Sequence, residues 1–186
     1  MSVLDIRVLG DPILREETKP VGEITDDVRR LVKDMFETMY LAKGIGLAAP
    51  QVGRTERLAV VDVDEAPMVI INPEIIERDS KTTKAEEGCL SIPDVYGDVE
   101  RPARVRVRAT DLEGQTFEIE AGELFGRCLQ HEIDHLHGRL FVDYMSVLKR
   151  RSAMAKWSKE KDKYPGFVRR LENDPARSHE HPDEEL

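Results

Sequence analysis

Two histidines and a glutamate stand close together in "CLQHEIDHLHGRLF", residues 128–141, and their spacing suits metal chemistry. On an α-helix, His131 and His135 lie one turn apart on the same face, so their imidazoles can bind one metal ion together. Glu132 lies one position round the helix, close enough to act on a water at the metal without being a ligand. This H-E-x-x-H pattern is the signature of zinc proteases and predicts a hydrolytic metal site.

A zinc endopeptidase needs a third ligand that is hard to find in this sequence. In one protease class the pattern continues to a third histidine, and Phe141 stands at that position, although Gly138 matches the glycine before it. Another class uses a glutamate from a later helix, and the glutamate that follows soonest, Glu160, lies in a basic segment. The endopeptidase is therefore an alternative that the third ligand disfavours.

The two cysteines are the other candidates for the third ligand. Cys128 lies three residues before His131, but ligands at i, i+3 and i+7 of one straight helix converge poorly on one ion. Cys89 lies in "EEGCLSIP", a predicted turn that can present its thiolate from outside the helix. Helix geometry favours Cys89, with Cys128 as a packing residue. With Cys128 as a fourth ligand the site would be closed, and the chain would be a non-catalytic structural metal-binding module.

The elements that must position these residues indicate an α+β fold. Apolar periodicity predicts an N-terminal helix capped by Thr25, a central helix over about Gly122–Leu136, and a basic C-terminal helix over 146–164. Short β-branched runs predict strands at 57–63 and 68–73, and alternation around "DLEG" predicts a hairpin over 103–121. We expect short mixed or antiparallel sheets packed around the central metal-binding helix.

Composition limits the class of protein. The chain has 186 residues, 40% hydrophobic and 35% charged, and a net charge of −9, which argues against a general nucleic-acid or specific DNA binder. Two cysteines suit a reducing compartment, and we find neither a transit peptide nor an apolar run long enough to span a membrane. We expect a cytoplasmic protein with one domain over residues 1–165 and a flexible acidic tail over 166–186.

Three segments together resemble the signature motifs of the peptide deformylases, in the family's order. They are "GIGLAAPQVG" (44–53), "EGCLSIP" (87–93) and "QHEIDHLHG" (130–138), and "LGDPILR" and "LFVDYMS" are also typical of the family. The resemblance covers about residues 3–165. It implies that one divalent metal ion per chain is bound by Cys89, His131 and His135. Family members look like Fe²⁺ enzymes that accept Zn²⁺, Ni²⁺ or Co²⁺, whereas the donor set alone suits zinc equally well.

The same resemblance implies the reaction and its participants. The family removes the formyl group from N-formylmethionyl nascent peptides and releases formate. Glu132 would be the general base, and the Gln51 side chain and the Leu90 backbone N–H would stabilise the negative oxygen. The segment Gly44, Ile45 and Gly46 would pair with the peptide backbone, and Ile45, Leu124 and Cys128 would line the methionine pocket.

Three further expectations concern neighbouring charges. Glu87 and Asp134 are candidates for orienting the metal ligands through hydrogen bonds, although Asp134 fits a surface ion pair equally well. Arg127, next to the methionine pocket, is expected to face solvent. The basic helix 146–164 is either a solvated face or, as the family resemblance implies, a contact with ribosomal RNA.

Overall fold

The computed structural model describes residues 2–173, in which three α-helices lie where the sequence predicts them. They are α1 (Asp26–Leu41), α2 (Glu123–Leu136) and α3 (Val147–Glu160). Thr25 caps α1 as expected, because its side chain accepts a hydrogen bond from the Val28 N–H. Within the described residues, the search for a helix long and apolar enough to cross a membrane finds none.

Three antiparallel sheets contain the nine strands of residues 2–173. The strands are β1 (Ile6–Arg7), β2 (Gly46–Ala48), β3 (Leu58–Val63), β4 (Ala66–Arg78), β5 (Thr82–Glu87), β6 (Gly97–Pro102), β7 (Arg104–Thr110), β8 (Thr116–Gly122) and β9 (Val168–Arg169). The largest sheet has the order β2-β3-β4-β7-β8, and β5-β6 and β1-β9 form two-stranded sheets. This arrangement confirms the α+β class.

The five-stranded sheet lies between α1 and α2. Because helices cover both faces of β3, the sequence of this strand is a nearly continuous apolar run. In β3, Leu58 and Val60 pack with α1, while Ala59, Val61 and Val63 pack with α2. A third core cluster joins α3 to β6 through buried side chains that include Phe141 and Trp157. The metal-site helix is therefore covered on one side by a sheet with a closely packed interior.

Glycines set the position and the end of α2. A Cβ at Gly126 would lie 2.6 Å from the Ala121 carbonyl oxygen, so glycine allows the helix to run close to β8. Gly138 has a φ of +71° and follows the last turn, where the Arg139 N–H donates to the Asp134 carbonyl. This left-handed glycine ends the helix directly after the second histidine.

The strands agree with the predictions in part. The hairpin around "DLEG" is confirmed as β7 and β8, and β4 continues five residues beyond the predicted end at residue 73. The β5-β6 hairpin was not predicted, because "TTKAEE" has no large apolar residue and resembles a loop. Its backbone ladder with β6 and the buried contacts of its last residue, Glu87, stabilise it instead.

The first residues of the segment predicted as a flexible tail, 166–186, belong to the fold. Val168 and Arg169 pair with β1, and Arg169 and Leu171 are buried. A two-residue strand with isolated apolar positions gives no periodic signal, so the sequence does not show this contact. Residues 174–186 lie outside the described part of the chain, and the single-domain boundary stays a prediction.

Candidate metal centre

The three residues of α2 that are candidates for metal binding and proton transfer lie inside the protein. His131 and His135 are 1% exposed and Glu132 is fully buried. The ring of Phe141, which stands where one protease class has its third histidine, lies stacked 6.1 Å from the His131 ring. Phe141 therefore packs against a candidate ligand and supplies none of its own.

The third donor comes from the turn that follows β5. The Ile92 N–H donates to the Cys89 carbonyl at 2.9 Å, and this turn directs the thiol of Cys89 towards α2. Cys89 Sγ lies 3.3 Å from His135 Nε2, which lies 3.2 Å from His131 Nε2. The three donor atoms lie within 4.8 Å of one another and all belong to buried residues. Two imidazoles and a thiolate converging in this way fit a divalent transition metal.

Cys128 lies elsewhere. It is fully buried, and its Sγ contacts the Ile45 carbonyl oxygen at 3.7 Å. Burial raises the pKa of its thiol well above the usual value, which disfavours the thiolate that a metal requires. In the described part of the chain, the group that could hold a metal ion consists of Cys89, His131 and His135, without Cys128. An ion held by these three residues would still be able to bind a water, as hydrolytic sites require.

Glu87 fixes the orientation of the first histidine. One of its carboxylate oxygens lies 2.9 Å from His131 Nδ1, so the ring directs Nε2 towards the other donors. Arg101 binds the same carboxylate with two nitrogens, at 2.6 and 2.9 Å. Burial alone would raise the pKa of Glu87, but hydrogen bonds from Arg101 and His131 hold it well below its usual range. Glu87 is therefore a carboxylate at neutral pH.

Asp134 acts on this group through an arginine. Its carboxylate accepts hydrogen bonds from Arg101 Nη1 at 2.8 Å and from the Tyr144 hydroxyl at 2.9 Å. The Arg101 guanidinium also lies 4.9 Å from the centre of the Tyr144 ring. Asp134 therefore orients the arginine that binds Glu87, and three contacts in sequence connect it to His131.

The expectation that Arg127 faces solvent is wrong. Its side chain is 7% exposed, and Nη1 donates to Glu87 at 2.7 Å and to the Val99 carbonyl at 2.9 Å. Nη2 donates to the Thr83 carbonyl at 2.9 Å. The arginine therefore joins α2 to both strands of the β5-β6 hairpin. Neither Arg127 nor Arg101 carried a sequence signal, because their partners lie on that unpredicted hairpin.

Glu132 is placed for proton transfer. Both of its carboxylate oxygens are buried, and neither has a hydrogen-bond partner among residues 2–173. Burial raises its pKa to about 7, although the charges of His131 and Arg101 oppose this. A Cβ at Gly46 would lie 2.4 Å from Glu132 Oε1, so only glycine allows β2 to pass this close. The carboxyl group can therefore accept or give a proton near neutral pH, beside an edge strand.

Gln51 and Leu90 lie beside the candidate ligand Cys89. Gln51 is fully buried, and its Oε1 accepts a hydrogen bond from the Ala48 N–H at 2.9 Å. This contact fixes the amide so that Nε2 faces Ser91 Oγ at 3.1 Å and Cys89 Sγ at 3.6 Å. Leu90 is the residue after Cys89 and is also fully buried. Sequence reasoning missed Ser91, which links the two predicted donor segments.

Three of the five predicted substrate residues, Gly44, Ile45 and Gly46, lie at the edge of the five-stranded sheet, and the other two lie on α2. Strand β2 is at the end of the five-stranded sheet and pairs with β3 on its other side. Gly44, Ile45 and Gly46 are buried, and Ile45 is 3% exposed beside Cys128. Leu124 is 45% exposed, so it lies at a surface and not within the core. An edge strand next to a buried polar group can accept an extended peptide as an added strand.

Comparisons with known proteins agree with this geometry. The family model described as "Polypeptide deformylase" matches residues 3–151. A peptide deformylase of Alkalilimnicola ehrlichii is 55% identical over 163 residues, which cover 86% of this chain and 91% of that protein. One of Acinetobacter baumannii is 53% identical over 162 residues, 86% of this chain and 92% of the relative.

Solved structures show the same relationship. The crystal structure of a peptide deformylase from Legionella pneumophila has a TM-score of 0.83 and 45% identity, and covers 87% of this chain and 97% of that one. A structure from Synechococcus elongatus in complex with actinonin has a TM-score of 0.81 and 45% identity, and covers 83% and 88%. The buried Cys-His-His group with its neighbouring glutamate, together with these similarities over most of the sequence, shows that this chain belongs to the polypeptide deformylase family.

Proposed function

We propose that this protein hydrolyses the N-terminal formyl group of nascent polypeptides that begin with formylmethionine, releasing formate and a free amine. The observation that carries the proposal is the buried convergence of Cys89, His131 and His135 beside a glutamate of raised pKa. A zinc endopeptidase is not supported, because Phe141 packs against His131 and Glu160 pairs with Lys163. A closed structural site is not supported either, since Cys128 lies against Ile45.

Cys89, His131 and His135 would hold one divalent metal ion. Such an ion supplies Lewis acidity, which makes a water nucleophilic near neutral pH. The hydrogen bond that His131 Nδ1–H donates to Glu87 keeps His131 in the orientation that leaves Nε2 free for binding. We infer Fe²⁺ as the native ion from the family, with Zn²⁺, Ni²⁺ and Co²⁺ as substitutes that the same donors accept.

Glu132 would move the protons of the reaction. Its carboxylate accepts a proton from the attacking water and then gives it to the amine nitrogen as the C–N bond breaks. Both steps require a pKa near the working pH, and burial raises that of Glu132 to about 7. The close approach of Gly46 keeps the carboxyl group next to the strand on which the peptide would lie.

Gln51 and Leu90 would stabilise the negative oxygen of the tetrahedral intermediate. The Gln51 amide has two N–H groups, and the contact of its Oε1 with Ala48 directs both towards the Cys89 turn. The Leu90 N–H would be the second donor. Donors fixed before the reaction begins need no reorganisation when charge develops on the oxygen.

The substrate would bind as an extra strand beside β2. Backbone groups of Gly44, Ile45 and Gly46 would pair with the peptide, and its methionine side chain would lie among Ile45, Leu124 and Cys128. Backbone pairing is insensitive to side-chain identity, so the enzyme would accept many sequences after the first residue.

The proposal is tested by formate release. The protein is purified without air, its bound metal is measured, and formate release from formyl-Met-Ala-Ser is compared between the wild type, Glu132→Ala and Glu120→Ala. We expect about one metal ion per chain in all three proteins, and formate from the wild type and from the exposed control Glu120→Ala only. Bound metal without formate release by the wild type would contradict the proposal.

The identity of the metal needs a separate test. Removal of the metal with a chelator should abolish formate release, and Fe²⁺ added without air should restore it. If the protein loses activity in air and the same protein reloaded with Ni²⁺ keeps it, the result supports iron as the native ion. Zinc in the protein as isolated, with full activity in air, would contradict it.

We also propose a cytoplasmic enzyme that contacts the ribosome through α3. The two thiols are unpaired, which suits a reducing compartment, and Arg151 and Lys156 are exposed on α3.

Deleting 146–164 would remove the buried Trp157 and disturb the core, so charge reversal is the better test. Replacing Arg151 and Lys156 by Glu should reduce co-sedimentation with ribosomes and leave activity on free peptides intact. Reversal of the exposed Lys81 and Lys84 is the control, and unchanged sedimentation of the α3 variant would contradict the contact.

A further inference from the structure

The segment after α3 folds back against the start of the chain. We call residues 164–171 the C-terminal strap, and it lies beyond the residues matched by the family model, which end at 151. Its strand β9 pairs with β1, and the Val8 N–H donates to the Phe167 carbonyl at 3.0 Å. Tyr164 at its start is buried and stacks on Trp157 with ring centres 5.9 Å apart. The strap is therefore anchored at both ends to packed parts of the protein.

Within the strap, Arg169 reaches the turn that carries the metal-site cysteine. Arg169 is 3% exposed, and its Nη1 donates a hydrogen bond to the Leu90 carbonyl oxygen at 2.9 Å. Burying a guanidinium is costly unless it is hydrogen-bonded, so this hydrogen bond offsets part of the cost of burying Arg169. A hydrogen bond from a charged donor is also strong, so it fixes the position of the carbonyl that accepts it. The next residue, Arg170, has a side chain that is 70% exposed and forms a long ion pair, at 3.8 Å, with Asp5.

Three consecutive carbonyls of the turn are held by three separate parts of the chain. The Cys89 carbonyl accepts from the Ile92 N–H, and the Ser91 carbonyl accepts from the Leu9 N–H, both at 2.9 Å. The Leu90 carbonyl between them accepts from Arg169. Because each peptide group is planar, fixing these carbonyls fixes the direction of the N–H groups in the same planes. The Leu90 N–H shares its plane with the Cys89 carbonyl, which Ile92 holds, and Arg169 holds the adjoining plane of the Leu90 carbonyl and the Ser91 N–H. The two contacts together fix the backbone on both sides of the Leu90 Cα, and with it the direction of the Leu90 N–H.

We propose that Arg169 is a positioning residue for the deformylation reaction, which holds the Leu90 peptide so that the Leu90 N–H points at the developing negative oxygen. The inference rests on the proposed function of that N–H. The negative charge develops only as the reaction proceeds, so loss of Arg169 slows the chemical step and leaves substrate binding nearly unchanged. The strap thereby links the C-terminal part of the chain to the active site.

The test compares Arg169→Gln and Arg169→Lys with the matched neighbour Arg170→Gln. The kcat and KM for formyl-Met-Ala-Ser are measured on metal-loaded protein, well below the unfolding temperature of each variant. We expect Arg169→Gln to lower kcat about 10-fold or more, with KM and metal content within about twofold of wild type. Arg169→Lys should give an intermediate kcat, because its ammonium keeps the charge but ends about one bond short of Nη1. Arg170→Gln should match the wild type.

A second readout does not depend on catalysis. Hydrogen exchange of the Leu90 amide should be about 10-fold faster in Arg169→Gln than in wild type, and unchanged in Arg170→Gln. This measurement tests Arg169 even if the wild type released no formate, which would instead refute the proposed function.

Other outcomes would overturn the inference. A kcat of Arg169→Gln within twofold of wild type, with only the unfolding temperature lowered, would show a structural role alone. If Arg169→Gln does not fold, Arg169→Lys decides: a kcat lowered about threefold at unchanged KM supports positioning, and a wild-type kcat refutes it.

Discussion

Two arginine–glutamate pairs with similar closest distances lie in opposite environments. On the β7-β8 hairpin, Arg108 and Glu118 face each other across the strands with Nη2 and Oε1 2.8 Å apart, and their side chains are 50% and 43% exposed. Beside the metal site, Arg101 and Glu87 approach to 2.6 Å, and their side chains are 4% and 0% exposed. Distance alone would make the pairs equivalent, whereas burial makes their consequences for the protein very different.

The difference follows from what replaces each partner when it is lost. At the surface, water solvates the remaining charge, so an exposed pair contributes little to stability. In the interior, Glu87 is the common acceptor for Arg101, Arg127 and His131, and little water reaches it to solvate the charges that its loss would leave. The stability of the β5-β6 hairpin and the orientation of the candidate ligand His131 therefore both depend on the Glu87 carboxylate.

The largest effect should come from Glu87→Gln. The amide cannot neutralise either buried guanidinium, so Arg127 loses its ion pair with Glu87 and Arg101 is left with Asp134 as its counter-charge. We expect the free energy of unfolding to fall by about 3–5 kcal/mol, and metal affinity to fall about 10- to 100-fold because the acceptor of His131 loses its negative charge. Urea unfolding and metal titration measure these changes. Glu118→Gln is the matched control, and equal losses in both variants would show that burial does not distinguish the pairs.

A smaller loss of stability is expected for Arg127→Met. Methionine fills much of the same volume, but the Val99 and Thr83 carbonyls lose their donor, while Arg101 still neutralises Glu87. We expect a loss of about 2–3 kcal/mol in the free energy of unfolding, with hydrogen exchange increased mainly in β5 and β6. Arg108→Met on the exposed hairpin is the control. Metal content should stay near wild type, and its complete loss would mean that Arg127 supports the ligands directly.

The contrast between the two environments also explains what the sequence could predict. The sequence predicts His131 and His135 as candidate ligands because their spacing is local to one helix, and it predicts α1 because Thr25 and the apolar face of the helix are close together in sequence. Cys89 needed an argument about which residue can approach a helix from outside. These features depend on neighbours within a few residues, which the sequence displays directly.

Arg101, Arg127 and Arg169 could not be predicted, because their roles depend on distant partners. Arg127 lies 40 residues from Glu87 in sequence, and Arg169 lies 79 residues from Leu90. Nothing in the residue type separates them from surface arginines such as Arg108. Only the packing of an unpredicted hairpin and an unpredicted strand decides which arginines become buried.

An intermediate environment gives an intermediate effect that depends on pH. Asp143 has a side chain that is 26% exposed and binds Arg15 with two hydrogen bonds, at 2.6 and 3.1 Å. Burial raises its pKa, but the Arg15 hydrogen bond and the Leu140 N–H outweigh this and hold it below the usual value. Since the folded pKa is depressed, its charge stabilises the protein above the unfolded pKa of about 4, and this contribution is lost as pH falls.

Asp143→Asn should therefore lower the free energy of unfolding by about 1 kcal/mol at neutral pH, since asparagine keeps the Leu140 contact but not the charge. The difference from wild type should shrink as pH falls below about 4, where aspartate becomes protonated. Urea unfolding of both proteins over this range measures it. A difference that stays constant with pH would show that the charge of Asp143 does not contribute.

The smallest effect is expected for the exposed pair itself, and a double-mutant cycle isolates it. Arg108→Gln, Glu118→Gln and the double variant should give a coupling free energy of about 0.2–1 kcal/mol. In about 1 M salt the Debye length is only about 3 Å, so this coupling should nearly vanish. A coupling above about 2 kcal/mol that salt leaves unchanged would mean that cross-strand geometry, and not exposure, sets the strength of these pairs. The larger loss of stability expected for Glu87→Gln than for Glu118→Gln would then have to come from the number of donors that share Glu87, and not from its burial.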